Sequence, residues 1–296
     1  MRKPVVAGSF YLSDKSSLNM QIESCFLKKF GPGNLPRAFP VHARKFGLIA
    51  PHAGYPYSGE CAAHAYKALV EVNKKNLPET FIILGPNHTG HGQAVFSLSL
   101  ENFETPLGLV ENDTEFGEKL IEESSPLTQK DEIAHQFEHS IEVQLPFLQF
   151  CYNMMKKEFK IVPIIVSTID YDNCIKIANT IAKIAKEQKK KVCVIASSDF
   201  THHGPSYGFI PFTKDVKNNL YILDRNAINK ILKLDSKGFH DLAIKSTICG
   251  LSTIVVCIEA SKALGAKKAS LLKYYTSGDV LGDYANAVGY ASIAFE

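Results

Sequence analysis

Short β-branched runs alternating with amphipathic stretches are the feature that most narrows what this chain can fold into. Residues 46–50, 80–85, 161–167 and 192–196 are short and almost wholly apolar, the pattern of strands buried on both faces. Between them, residues 58–71 and 174–187 repeat apolar positions at helical spacing, and in the second Ile177, Ile181 and Ile184 fall on one stripe. Strands that need cover on two sides, separated by helices with one apolar face, predict an α/β fold. Its central sheet is mixed or largely parallel, with helices on both faces. Helices over 216–232 and 250–264 and strands over 270–276 and 287–295 extend the pattern. No repeat or low-complexity linker interrupts it, and Gly31-Pro32-Gly33-Asn34-Leu35-Pro36 reads as surface turns, so residues 1–296 are expected to form a single domain.

Composition removes several functions. The 33 basic and 30 acidic residues are interspersed, which argues against a nucleic-acid footprint. The short run Lys189-Lys190-Lys191 sits between a helix and a strand and reads as a solvated helix end. No stretch approaches the roughly 18 apolar residues of a membrane span, and Met1-Arg2-Lys3 is not followed by a signal-peptide core, so the expected location is cytoplasmic. Seven cysteines without CxxC pairs fit reduced thiols; Cys25, Cys174, Cys193 and Cys257 lie in apolar pattern and are expected to be buried.

The chemistry is expected where polar residues follow strands, because open α/β sheets bind ligands beyond the carboxyl ends of their strands. Strand 46–50 runs into Pro51-His52-Ala53-Gly54-Tyr55, strand 80–85 into Pro86-Asn87-His88, and strand 192–196 into Ser197-Ser198-Asp199 and on to His202-His203. Thr247-Ile248-Cys249-Gly250 leads into a helix. One histidine after a strand often only caps the next helix, but several on one sheet edge converge on a common crevice. Imidazoles with a thiolate make a ligand set for iron, copper or zinc rather than magnesium or calcium. The start of a helix at Gly250 is expected to lower the Cys249 thiol pKa. His202, beside Asp199, is the candidate for acid-base work. His203 reads as a packing or surface neighbour. Glu138-His139-Ser140-Ile141-Glu142 reads as the start of a helix continuing through Leu148, with His139, like Tyr55, a candidate for lining the cleft. There is no GxGxxG after a strand, no phosphate loop, no HExxH and no GxSxG elbow.

Ala7-Gly8-Ser9-Phe10-Tyr11, Ala50-Pro51-His52-Ala53-Gly54-Tyr55, Cys61-Ala62-Ala63-His64-Ala65-Tyr66, Leu84-Gly85-Pro86-Asn87-His88, Glu138-His139-Ser140-Ile141-Glu142, Ser197-Ser198-Asp199-Phe200 and Thr247-Ile248-Cys249-Gly250 together resemble the Memo family, in order and over nearly the whole chain. The resemblance implies a fold similar to class III extradiol dioxygenases, non-haem iron enzymes. It implies metal ligands at His52, His88 and Cys249, and the acid-base position at His202. Those dioxygenases use a glutamate where this chain has Cys249, so ring cleavage is not carried over. A thiolate donates more charge, suits softer ions and can itself be oxidised. The phosphotyrosine-peptide binding described for animal members is likewise not carried over.

The expected function is therefore binding of a redox-active metal, iron or copper before zinc, in a dioxygenase-like cleft, with a metal-dependent oxidoreductase or dioxygenase-like activity on an unidentified small molecule. The alternative is a non-catalytic cleft that binds a peptide or sequesters metal. A zinc hydrolase ranks last.

Overall fold

The computed structural model describes residues 1–39 and 44–296. Its strands are β1 (Gly47–Ala50), β2 (Thr80–Pro86), β3 (Phe96–Leu98), β4 (Phe103–Thr105), β5 (Gly108–Asn112), β6 (Thr128–Lys130), β7 (Lys160–Val166), β8 (Val192–Ser197), β9 (His202–His203), β10 (Ala269–Thr276) and β11 (Ala287–Phe295). Its helices are α1 (Lys15–Leu27), α2 (Tyr55–Val70), α3 (Thr114–Ser124), α4 (Leu145–Met155), α5 (Tyr171–Glu187), α6 (Val216–Leu232), α7 (Ser236–Ala243), α8 (Leu251–Leu264) and α9 (Ser277–Leu281).

One mixed sheet runs in the order β10-β11-β1-β8-β2-β7-β3-β6. Its centre is parallel, with β1 on β8, β8 on β2 and β2 on β7, and its flanks, β11 and β3, are antiparallel to that centre. This is the expected α/β class. Side chains alternate along each central strand, so the sheet feeds two cores. Val192, Val194 and Ala196 enter one, with α3, α5 and α8. Cys193 and Ile195 enter the other, with α1, α2 and α4. Each fully buried aliphatic side chain contributes about 1.5–3 kcal/mol, which is why the two-sided pattern was readable.

Local signals explain most boundaries. The Asp170 side chain accepts from the Asn173 amide and starts α5. Pro56, in the first turn of α2, sets the helix off earlier than the apolar stripe alone indicates. The helix expected from Glu138 does not form there. The Glu138 carboxylate takes the amides of His139 and Ser140, and the chain makes a short 3₁₀ turn over Glu142–Gln144 before α4 begins. The lysine run resolves into ion pairs, Lys190 with Asp113 and Lys191 with Glu79. All seven cysteines are free, and all but Cys249 are buried. No helix of the described residues is long and apolar enough to cross a membrane.

Candidate metal centre

The parallel strands β1, β8 and β2 are neighbours, so the residues that follow their carboxyl ends emerge side by side. The His52 side chain leaves the end of β1 and His88 the end of β2. His139 arrives from the 138–144 turn, seated against β2 because Gly85 has no Cβ; one there would lie 2.3 Å from Ser140 Oγ. Among the described residues, His52, His88 and His139 form the group whose potential ligand atoms all lie within 4.8 Å of one another. Their ring centroids are 4.8–5.5 Å apart. His52 is buried, while 34% of the His88 side chain remains exposed, so the cluster reaches solvent on that side.

Hydrogen bonding decides which nitrogens are free. The Ser197 hydroxyl donates its single hydrogen to the Ser140 carbonyl (2.6 Å) and accepts from Gln144 Nε2 (2.8 Å). It can only accept again from His52 Nδ1, 2.9 Å away, so Nδ1 carries the proton and Nε2 the lone pair. Gln144 is itself fixed, since its other amide contacts are the Pro51 carbonyl and the Tyr66 hydroxyl.

The other two histidines share one carboxylate. Glu138 Oε1 lies 3.0 Å from His88 Nδ1 and 3.3 Å from His139 Nδ1, and the carboxylate also accepts from the amides of His88, His139 and Ser140. Burial would raise its pKa, but the bond and charge of His88 and the Ser140 amide hold it down at about 2. For His88 the ionised acceptor bonded to Nδ1 again leaves Nε2 as the lone pair, the arrangement that metal-binding histidines use. Burial, followed by repulsion from His88 and His139, holds His52 well below the usual imidazole range; His139 is lowered by burial too. Neutral imidazoles are the ligating form.

Cys249 is not among the ligand atoms that lie within 4.8 Å of one another, but it touches one member of the group. Its Sγ lies 3.3 Å from His52 Nε2 and accepts from the Asp199 amide at 3.3 Å. A Cβ on Gly250 would lie 2.3 Å from Ser198 Cβ, so glycine there lets α8 close on the end of β8 and bring the thiol in. The expected thiol activation is corrected: burial of the sulfur, reinforced by the Asp199 charge, raises its pKa instead of lowering it. The protonated thiol therefore faces the His52 lone pair.

The pairing of His202 with Asp199 is also revised. Asp199 turns its carboxylate to the backbone amides of His52 (2.9 Å) and Ala53 (3.4 Å), and burial raises its pKa. His202 Nδ1 donates instead to the Thr247 carbonyl at 2.9 Å, with the Tyr207 ring 5.1 Å away. His202 is near enough for its charge to lower the His52 pKa. His203 is buried, stacked on Phe212, and Tyr55 is a core residue whose hydroxyl donates to the Val143 carbonyl.

Sequence reasoning gave Glu138, Ser197, Gln144 and Arg2 no role. For Glu138 a signal existed, a carboxylate directly before a histidine; for the others there was none. A cavity of about 540 Å³ adjoins Cys249 and carries no charged side chain in its lining. A larger one, about 640 Å³, opens at the opposite strand ends near Thr80 and Lys160, away from all these groups.

The fold and this cluster define a class: an α/β protein with a histidine-rich candidate metal site at the carboxyl ends of its parallel strands. The chain belongs to the Memo family, whose model, described as Memo-like protein, matches residues 2–294. A MEMO1 family protein of Methanopyrus kandleri is 42% identical over 296 residues, 99% of this chain and 98% of that protein. Another, from Methanocaldococcus jannaschii, is 42% identical over 298 residues, 100% of this chain and 99% of that one. Among solved structures, an uncharacterized protein of Escherichia coli K12 shares the fold with a TM-score of 0.54 at 11% identity, covering 86% of this chain and 100% of that one.

Proposed function

We propose that this protein holds one redox-active transition-metal ion, iron or copper, and acts as a metal-dependent oxidoreductase on a small molecule. The observation that carries the reading is that His52, His88 and His139 each bring one ring nitrogen within 4.8 Å of the others. His52 and His88 each have Nδ1 bonded to a fixed acceptor, leaving Nε2 for a metal, His139 stands beside them with Nδ1 3.3 Å from the same carboxylate, and the Cys249 thiol touches the His52 lone pair. His52 and His88 are common to both candidate ligand sets; His139 or Cys249 completes the set. A histidine and thiol donor set fits iron, copper and zinc, and a thiolate suits the softer ions among them, Cu(I) included.

When bound, such an ion supplies electron transfer. The chain's own residues do the rest. His202, with Nδ1 committed to the Thr247 carbonyl, has Nε2 left to take up or release a proton, and Asp199 holds the backbone that carries His52. The uncharged cavity beside Cys249 offers room for a small organic molecule. A second reading has one specific support: three imidazoles alone suit zinc.

The test is metal content after anaerobic purification without added metal, for wild type and the His52→Ala, His88→Ala, His139→Ala and Cys249→Ser variants. Iron or copper stoichiometric with the chain, and lost in the first two variants, supports the reading. Whichever of the last two loses it identifies the third ligand. Zinc alone overturns the redox reading, and a protein that cannot be loaded overturns the metal site.

A further inference from the structure

We infer that the N-terminal segment is a working part of this centre, with Arg2 as the positioning residue that fixes the turn carrying Glu138 and His139; the inference rests on the metal-binding reading above. The turn needs such help. Between β6 and α4 the backbone has only the 3₁₀ turns Ile133–His135 and Glu142–Gln144, so no long ladder of hydrogen bonds places Glu138. Backbone groups outside ladders must be satisfied by side chains or water.

Arg2 supplies those partners from far along the chain. It is 6% exposed. Its Nε donates to the His135 carbonyl at 3.1 Å, and one terminal nitrogen donates to the Glu138 carbonyl at 2.7 Å. The other terminal nitrogen pairs with the Glu142 carboxylate and reaches the Lys3 carbonyl at 2.9 Å. A single planar group thus holds the turn before, at and after the residue whose carboxylate orients the His88 ring and holds the His139 backbone.

Glu142 closes the clamp from the other end. It accepts from the amides of Val5 (2.9 Å) and Val6 (3.0 Å) and from the Tyr11 hydroxyl (2.6 Å). Burial, then the Glu142 charge, raises the Tyr11 pKa, which keeps that hydroxyl a donor. The same segment lays the Phe10 ring against His139, with centroids 4.8 Å apart. Segment 2–11 therefore touches the centre three ways: at the Glu138 carbonyl, at Glu142 and at the His139 ring.

Lysine cannot reproduce this. An ammonium can still face Glu142, but it lacks the planar fork that spans the His135 and Glu138 carbonyls. Arg2→Lys therefore separates the ion pair, which serves the fold, from the hold on the turn, which serves the centre.

The experiment titrates metal-free protein with Co²⁺ alone, reading affinity and the visible spectrum, for wild type, Arg2→Lys and the exposed control Lys3→Ala. Thermal unfolding of each metal-free form is followed alongside. Expected are an unfolding midpoint for Arg2→Lys lowered by the lost carbonyl bonds but still well above the titration temperature, Co²⁺ affinity of the folded variant weaker by about 10- to 100-fold, the range for partners outside the ligand shell, and a shifted absorption band. Lys3→Ala should match wild type throughout. If Arg2→Lys does not fold, the double variant Arg2→Met with Glu142→Gln, which strands no buried charge, carries the same expectation. Wild-type affinity and spectrum in the folded variant overturn the inference while leaving the metal site standing. If wild type itself binds no Co²⁺, the metal reading falls and this inference with it.

Discussion

Oxygen Oε1 of Glu138 lies 3.0 Å from Nδ1 of His88. The same oxygen stands 3.3 Å from His139 Nδ1 and accepts from the His139 amide, so one buried carboxylate orients the His88 ring and holds the backbone that carries His139. Glu138→Gln keeps the shape and removes the charge, and a neutral amide cannot accept as well from the His88 ring and three backbone amides. Metal affinity in this variant should fall by about 10- to 100-fold. Competition with a chelator of known affinity measures it; affinity equal to wild type would remove Glu138 from the centre.

Acid stability follows from the same burial. His135 is buried, with Nε2 2.9 Å from the Ser97 carbonyl, and burial lowers its pKa to about 4 from 6.5. Below pH 6.5 the unfolded chain takes a proton that the folded one refuses until about pH 4. Stability present at pH 7 is therefore lost across that window, by about 3 kcal/mol from this group. His52 and His139, also lowered, act in the same direction. Glu138, lowered from 4.5 to about 2, adds a second loss as pH falls between those values. Urea unfolding of metal-free protein at pH 7, 5.5, 4 and 3 should show the midpoint falling throughout. A midpoint flat from pH 7 to 4 would show that these histidines do not stay neutral in the folded protein.

The sheet and the strand-end histidines were legible because both depend on short-range pattern. Ile177, Ile181 and Ile184 repeat every turn of α5, and His52 and His88 each follow a buried strand within two residues. What was hidden depends on contacts between distant parts of the chain. Glu138 and His88 are 50 residues apart, and Arg2 and Glu138 are 136 apart. Local reasoning also failed where neighbours in sequence point elsewhere. Asp199 lies three residues from His202, yet its carboxylate bonds the His52 and Ala53 amides across the strand ends. At Cys249 the helix start was read correctly, but the enclosure of the sulfur beside Asp199, which outweighs the helix end, had no signature in the sequence.

The Ser197 hydroxyl makes a prediction about a proton. Because its own hydrogen goes to the Ser140 carbonyl, it forces His52 into the Nδ1–H form, with Nε2 open toward Cys249. Nitrogen-15 spectra of the metal-free protein should show His52 neutral and protonated on Nδ1 at pH 7. In Ser197→Ala the acceptor is gone. His52 Nδ1 and Gln144 Nε2 then lose a buried partner, costing about 1–3 kcal/mol of stability. The tautomer should shift toward Nε2–H, which hydrogen-bonds the Cys249 sulfur and blocks the metal's nitrogen. Metal affinity should fall more in Ser197→Ala than in Ser197→Thr, which retains the hydroxyl. An unchanged tautomer in the alanine variant would mean that Cys249, not Ser197, sets the proton on His52.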